Sequence, residues 1–187
     1  MAVPPITEQT ERRIRVWLDD FVVGLNLCPF ARPLLGAANL RIAVCAETAP
    51  VMLRAAFLRE LDLLQCSPEQ EIATTLLAFP DALRDFEDYL QFFYQAQDLL
   101  TEAGLEGLVQ LASFHPHYRF AAEQAGAASH YSNRAPYPLI HLLREDMLSR
   151  ALGDYPDPEQ IPVRNIANLT DIGVAELERR WQALFSD

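Results

Sequence analysis

The sequence predicts an α/β fold: a small, mainly parallel β-sheet of three or four strands, layered with helices in a single domain over residues 1–187. Three observations predict it. Short apolar runs with strand length and composition occur at "LRIAVCA" (40–46), "IATTLLAF" (72–79) and "GLVQLASF" (107–114). Longer stretches with helical periodicity separate them. Strand, helix, strand, helix, strand is the order that right-handed crossovers between parallel neighbours produce. Half of the 187 residues are hydrophobic, enough for one substantial core.

The elements follow in order. Ile14, Trp17, Leu18, Phe21, Val22, Leu25 and Cys28 recur at three- and four-residue steps, one apolar helical stripe. Pro29 lacks a backbone donor and ends or kinks that helix. After the first strand, Pro50 suits the first turn of a helix running to about Leu64. After the second, Asp81 is placed to cap a helix whose stripe is Leu83, Phe86, Leu90, Phe93 and Leu100, closed by Gly104. Beyond the third strand the pattern predicts a helix over 139–152 and a proline-rich connection, "YPDPEQIP". A last helix carries Val174, Leu177, Trp181 and Leu184 on one face, with Thr170 or Asp171 as its cap. "IPVRNI" reads as an edge strand or an extended loop.

Composition narrows the function. A formal charge of −11 argues against general affinity for nucleic-acid phosphates or an anionic membrane surface. No apolar run is long enough to span a bilayer, and "MAVPPITEQTERR" lacks a basic start followed by an apolar signal core. Cys28, Cys45 and Cys66 are odd in number and form no C-x-x-C pair, which fits a reducing, cytoplasmic setting. A glycine-rich phosphate loop and a G-x-S-x-G elbow are both missing.

Open α/β sheets bind ligands outside the carboxyl ends of their strands. Here the first strand ends at Glu47, the second runs into Asp81, and the third runs into "FHPHYRF" (114–120). His115 and His117 lie one residue apart, so an extended backbone points both the same way. Either can divide acid and base roles near neutral pH, with Tyr118 to orient a substrate and Asp81 or Glu47 to orient an imidazole. All four histidines, His115, His117, His130 and His141, fall within one short stretch. A divalent transition metal is the cofactor that such a set would hold, with Cys28 as a softer ligand. Asn133 and Arg134 stand just before the predicted 139–152 helix, whose N-terminus would favour an anion. Arg134 would grip a carboxylate or phosphate bidentately, and Arg119 would add a second charge. Each has a plainer explanation: Asp81 and Asn133 as caps, Cys28 as core, the histidines as hydrogen-bonded packing.

Three stretches, "GLNLCPFA" (24–31), "FHPHYRF" and "SNRAPYPLIHLLRE" (132–145), carry a family resemblance. Together they resemble the mainly bacterial family catalogued as domain of unknown function 1415. The resemblance covers most of the chain and implies a compact single domain. It brings no activity, cofactor or catalytic residue, so chemistry rests on the side chains. Those predict an enzyme acting on a small phosphate- or carboxylate-bearing metabolite by histidine acid–base chemistry. The alternatives are a non-catalytic protein that binds a small anion, and a metal-dependent hydrolase built on the histidines.

Overall fold

The three expected strands form within two residues of their predicted ends in the computed structural model, which describes residues 6–153 and 155–186. They are β1 (Leu40–Val44), β2 (Thr74–Ala78) and β3 (Val109–Phe114). A fourth, β4 (Leu139–Arg144), stands between β2 and β3 and runs antiparallel to both, so the order is β1-β2-β4-β3. Only β1 and β2 pair in parallel. The sheet is therefore mixed, although its first three strands point the same way.

Among the described residues six α-helices accompany it: α1 (Ile6–Trp17), α2 (Pro50–Cys66), α3 (Phe86–Glu102), α4 (Glu145–Gly153), α5 (Ile161–Ile172) and α6 (Val174–Ala183). The two crossover helices, α2 and α3, cover one face, where Phe57, Leu61, Tyr89 and Ala96 pack on Leu77, Ile140 and Leu142. Two crossovers advancing in the same direction with the same hand must share a face. On the other face Ile14, Trp17, Leu169, Leu177 and Trp181 of α1, α5 and α6 pack on Leu76, Ala78 and Leu139. The result is helix, sheet, helix. No helix among the described residues is long and apolar enough to cross a membrane.

Four expectations are corrected here. The helix predicted over 139–152 splits into β4 and α4. A central strand is buried on both faces, so it is apolar without alternation, and "LIHLL" imitates a buried helix segment. Leu139, Ile140 and Leu142 are fully buried, and β4 has a full register with both neighbours, which decides the matter. The cap of α3 is Asp85, not Asp81: its carboxylate accepts the Glu87 and Asp88 N–H groups at 2.9 and 3.2 Å. Leu83, in the left-handed region at φ +56°, cannot sit inside that helix. "IPVRNI" begins α5, with Pro162 tolerated in its first turn. Thr170 and Asp171 fall inside α5, and Gly173 at φ +80° makes the turn into α6.

The stripe from Ile14 to Leu25 is buried as expected, but regular helix stops at Trp17 and a wide π-helical turn, Leu18–Val23, follows. Gly24 closes it by donating to the Asp19 carbonyl at 2.7 Å. A Cβ there would stand 2.4 Å from the Asp20 carbonyl oxygen, so only glycine fits. Asn165 and Asn168 of α5 then hold the Leu27 and Leu25 carbonyls, each at 2.7 Å.

Candidate functional site

The carboxyl edge of the three co-directional strands is where the sequence places a site, and the backbone there is tightly joined. Cys45 N–H donates to the Ala78 carbonyl at 2.8 Å, Phe79 N–H to Pro138 at 3.0 Å, and His115 N–H to Asn133 at 3.1 Å. Tyr89 closes the β3–β4 end from below. Its hydroxyl donates to the Leu139 carbonyl at 2.6 Å and accepts Phe114 N–H at 2.9 Å, and burial keeps it firmly protonated.

Most of "FHPHYRF" is engaged in fastening this edge to α3. His115 is fully buried between Phe86 and Tyr89. Its Nδ1 accepts the His117 N–H at 3.0 Å, so the proton resides on Nε2, which donates to the Leu83 carbonyl at 3.0 Å. Burial pushes this imidazole down to about 4, and the Leu83 carbonyl opposes that only in part. Tyr118 stacks edge-on against Phe86, its hydroxyl 3.1 Å from Ser113 Oγ. Arg119 pairs with Glu87 at 3.0 Å on the surface. His117 is different. It is exposed, and no hydrogen bond engages its ring nitrogens.

The four histidines do not meet, which corrects the expected metal set. His130 is buried with Nδ1 accepting Phe120 N–H at 3.2 Å and Nε2 donating to the Gln124 carbonyl at 2.8 Å. His141, in β4, points to the opposite face of the sheet from His115 and bonds Thr74. No group of three or more His, Cys, Asp or Glu side chains among the described residues is arranged to hold a metal ion. Two of these imidazoles already spend both nitrogens on backbone groups, so ligation would break the loops they hold.

The two arginines are also apart in role. With β4 where a helix was expected, no helix N-terminus stands beside Arg134. Its guanidinium lies 4.5 Å over the Tyr131 ring, whose hydroxyl donates to Glu178 of α6 at 2.5 Å. Asn133 stitches its loop to β3 by donating to the Ser113 carbonyl at 3.0 Å, and accepts Ser132 Oγ–H at 2.8 Å. Asp81 is half-buried, 3.7 Å from Arg84, and Glu47 is exposed.

Three of the cavities among the described residues concern this framework. A cleft of about 620 Å³ opens at the carboxyl ends of β1 and β2, between α2 and α3. Thr48 lines it from the loop before α2, Arg54 from α2, Asp88, Gln91 and Gln95 from α3, and Leu83 from the loop that His115 holds. No side chain caps α2, whose N-cap is Ala49. No hydrogen bond or ion pair engages Arg54. An apolar chamber of about 290 Å³ lies on the other face, with Thr74 and His141 in its wall. The third cavity, about 520 Å³, is bounded by Leu27, Cys28, Phe114, Phe120, Ser132 and Asn133. Cys28 separates it from the chamber, and burial pushes that thiol up, away from the reactive thiolate.

Residues 9–179 match the family described as protein of unknown function (DUF1415). The chain belongs to this family. No curated protein and no solved structure matches it. The DUF1415 stretches quoted from the sequence meet at the third cavity, one residue pair from each. Its amide groups are already bonded, and no cation faces it. The convergence is thus one of mutual support: α5 holds the first stretch, and the third holds the second through Asn133 and His115.

Arg54, Thr48, Gln91 and Gln95 escaped the sequence analysis. A signal for Arg54 was present. Pro50 marks a helix start at a strand's carboxyl end, and the residue four on lies one turn into that helix.

Proposed function

We propose that this protein binds a small anionic molecule, bearing a phosphate or carboxylate, in the cleft between α2 and α3. The observation that carries the proposal is Arg54, a cation without an ionic partner, on the wall of a cleft at the carboxyl edge of the parallel pair. The uncapped start of α2 adds a partial positive charge at the same mouth. Gln91, Gln95 and Asp88 supply groups for hydroxyls or amines elsewhere on the ligand. The protein's −11 charge makes this a local attraction, and salt will weaken it. Arg119 is neutralised by Glu87, Arg134 is stacked on Tyr131, and neither lines the cleft.

The acid–base part of the proposal rests on His117, whose ring alone among the four histidines has both nitrogens free. His115 is then a positioning residue, holding Leu83 and with it the cleft wall. A purely binding role is favoured by a specific observation: neither His115 nor His117 lines the cleft.

Calorimetric titration with inorganic phosphate and with a small dicarboxylate tests the site. Arg54→Ala should weaken binding at least about tenfold, the loss of one charge-assisted contact. Arg134→Ala should leave it unchanged. Absence of saturable binding, or equal loss in both variants, overturns the cleft as the site. Turnover of phosphate or carboxylate esters, where found, should vanish in His117→Ala; full turnover there removes the loop from the chemistry.

A further inference from the structure

The apolar chamber carries a separate inference, independent of the cleft and on the opposite face of the sheet. It lies among the Cys28–Leu35 segment, β2, β4 and α4, and its wall is almost entirely aliphatic and aromatic. The polar exceptions are Asn39, Glu69 and the pair Thr74–His141. The Thr74 hydroxyl donates to the Leu142 carbonyl at 2.7 Å, so its proton is committed. His141 Nε2, 2.7 Å from the same oxygen, must therefore be the donor in that contact. The proton is on Nε2, and Nδ1 is left with a bare lone pair that no donor reaches.

His141 is half-buried as a residue and lines this wall. Burial holds the imidazole down at about 4, neutral at physiological pH, and keeps that lone pair available. A second acceptor shares the predicament. Asn39, also in the wall, donates its amide to the Glu69 carbonyl and leaves Oδ1 buried with no partner. Glu69, the one charged group in the wall, is paired with Arg150. The chamber thus offers one accessible acceptor, His141 Nδ1, with no free charge and a large apolar surface.

We propose that this chamber is a binding site for a small, neutral, largely apolar ring compound carrying one N–H or O–H donor, which hydrogen-bonds His141 Nδ1. Size agrees with that class. A dry cavity of roughly 150 Å³ accommodates benzene, so about 290 Å³ suits one or two fused rings. Charge agrees as well, because an ion would be desolvated without a counter-charge. Specificity would come from the single acceptor, since a site built to bond a donor rejects an analogue that lacks it.

The test uses the full chain with two probes, indole and 1-methylindole, which differ in the N–H. Indole should bind saturably and at least about tenfold more tightly than 1-methylindole. In His141→Leu the preference should disappear. Leu148→Phe, which fills the chamber from α4, should abolish binding of both probes while Arg54→Ala leaves both intact. Equal affinity for the two probes, no saturable binding of either, or binding that survives Leu148→Phe each overturns the proposal. A chain that fails to bind phosphate but discriminates indole from 1-methylindole would refute the cleft and keep the chamber.

Discussion

Gly24 shows how one atom sets the geometry of a whole segment. Its φ of −62° is open to any residue, so conformational freedom does not explain it. The constraint is the Asp20 carbonyl oxygen, 2.4 Å from where a Cβ would be, with the Asp19 oxygen at 3.0 Å. Both oxygens belong to the backbone of the π-helical turn and cannot swing aside. Gly24→Ala should therefore destabilise the protein by about 1–3 kcal/mol, the usual cost of forced overpacking. Urea unfolding monitored by tryptophan fluorescence measures it, and Trp17, buried just before the π-helical turn, provides a local signal. A change within about 0.5 kcal/mol, the range of ordinary surface substitutions, would show that the turn relaxes without cost. His115 and His130 make a related point. Each imidazole serves two backbone groups at once, and that use was hidden in the sequence because a histidine's partners here are carbonyls and N–H groups up to 32 residues away.

Elements differ in how far their ends could be foreseen. β1, β2 and β3 were legible because each is a short apolar run bounded by polar or glycine residues. β4 was not, since a strand buried on both faces has no period to distinguish it from a helix. The start of α3 was ambiguous for another reason: "DALRD" holds two aspartates, either of which can cap. The packing of Phe86 against Tyr89, His115 and Tyr118 decides between them by placing the first turn at Phe86. Asp85→Ala should accordingly cost about 1 kcal/mol, a normal N-cap loss. Asp81→Ala should cost less than half as much, because its partner Arg84 is exposed and 3.7 Å away. Thermal or urea unfolding of the two variants side by side is sufficient, and a larger loss in Asp81→Ala would place the cap wrongly. Arg144, at the end of β4, secures the far end of α2 by donating to the Leu64, Ser67 and Ile72 carbonyls. That contact exists only because β4 is central.

At the scale of the whole molecule, strand direction alone was enough to place a cleft at the carboxyl edge. The rule needs the order of elements, not the identity of side chains. Which residues face that cleft depended on α2 and α3 packing together, and no local pattern reports such a pairing. The sheet also separates the histidines that sequence proximity had grouped, His115 toward α3 and His141 toward α1, and both interiors leave their imidazole neutral. This separation has a consequence for stability. Each imidazole titrates near 4 in the folded protein, pushed down by burial, against about 6.5 when unfolded. Between those values the unfolded chain binds more protons, so stability rises with pH there and is lost as pH falls from about 6.5 toward 4. Self-repulsion from the −11 charge acts with the opposite sign, but exposed carboxylates take up little proton above pH 5.5 and barely relieve it there. Glu176, held down to about 2 by Arg179 and Arg180, takes up a proton on unfolding only below its unfolded value, so its contribution to stability is constant across the window. Urea midpoints measured from pH 7.5 to 5.5 should therefore decline with acidification. The unfolding reaction should approach an uptake of about two protons toward the lower end. His141→Leu should remove about one of them and leave the other, which belongs to His115. A midpoint independent of pH across that range would mean that neither ring is shielded from water in the folded state.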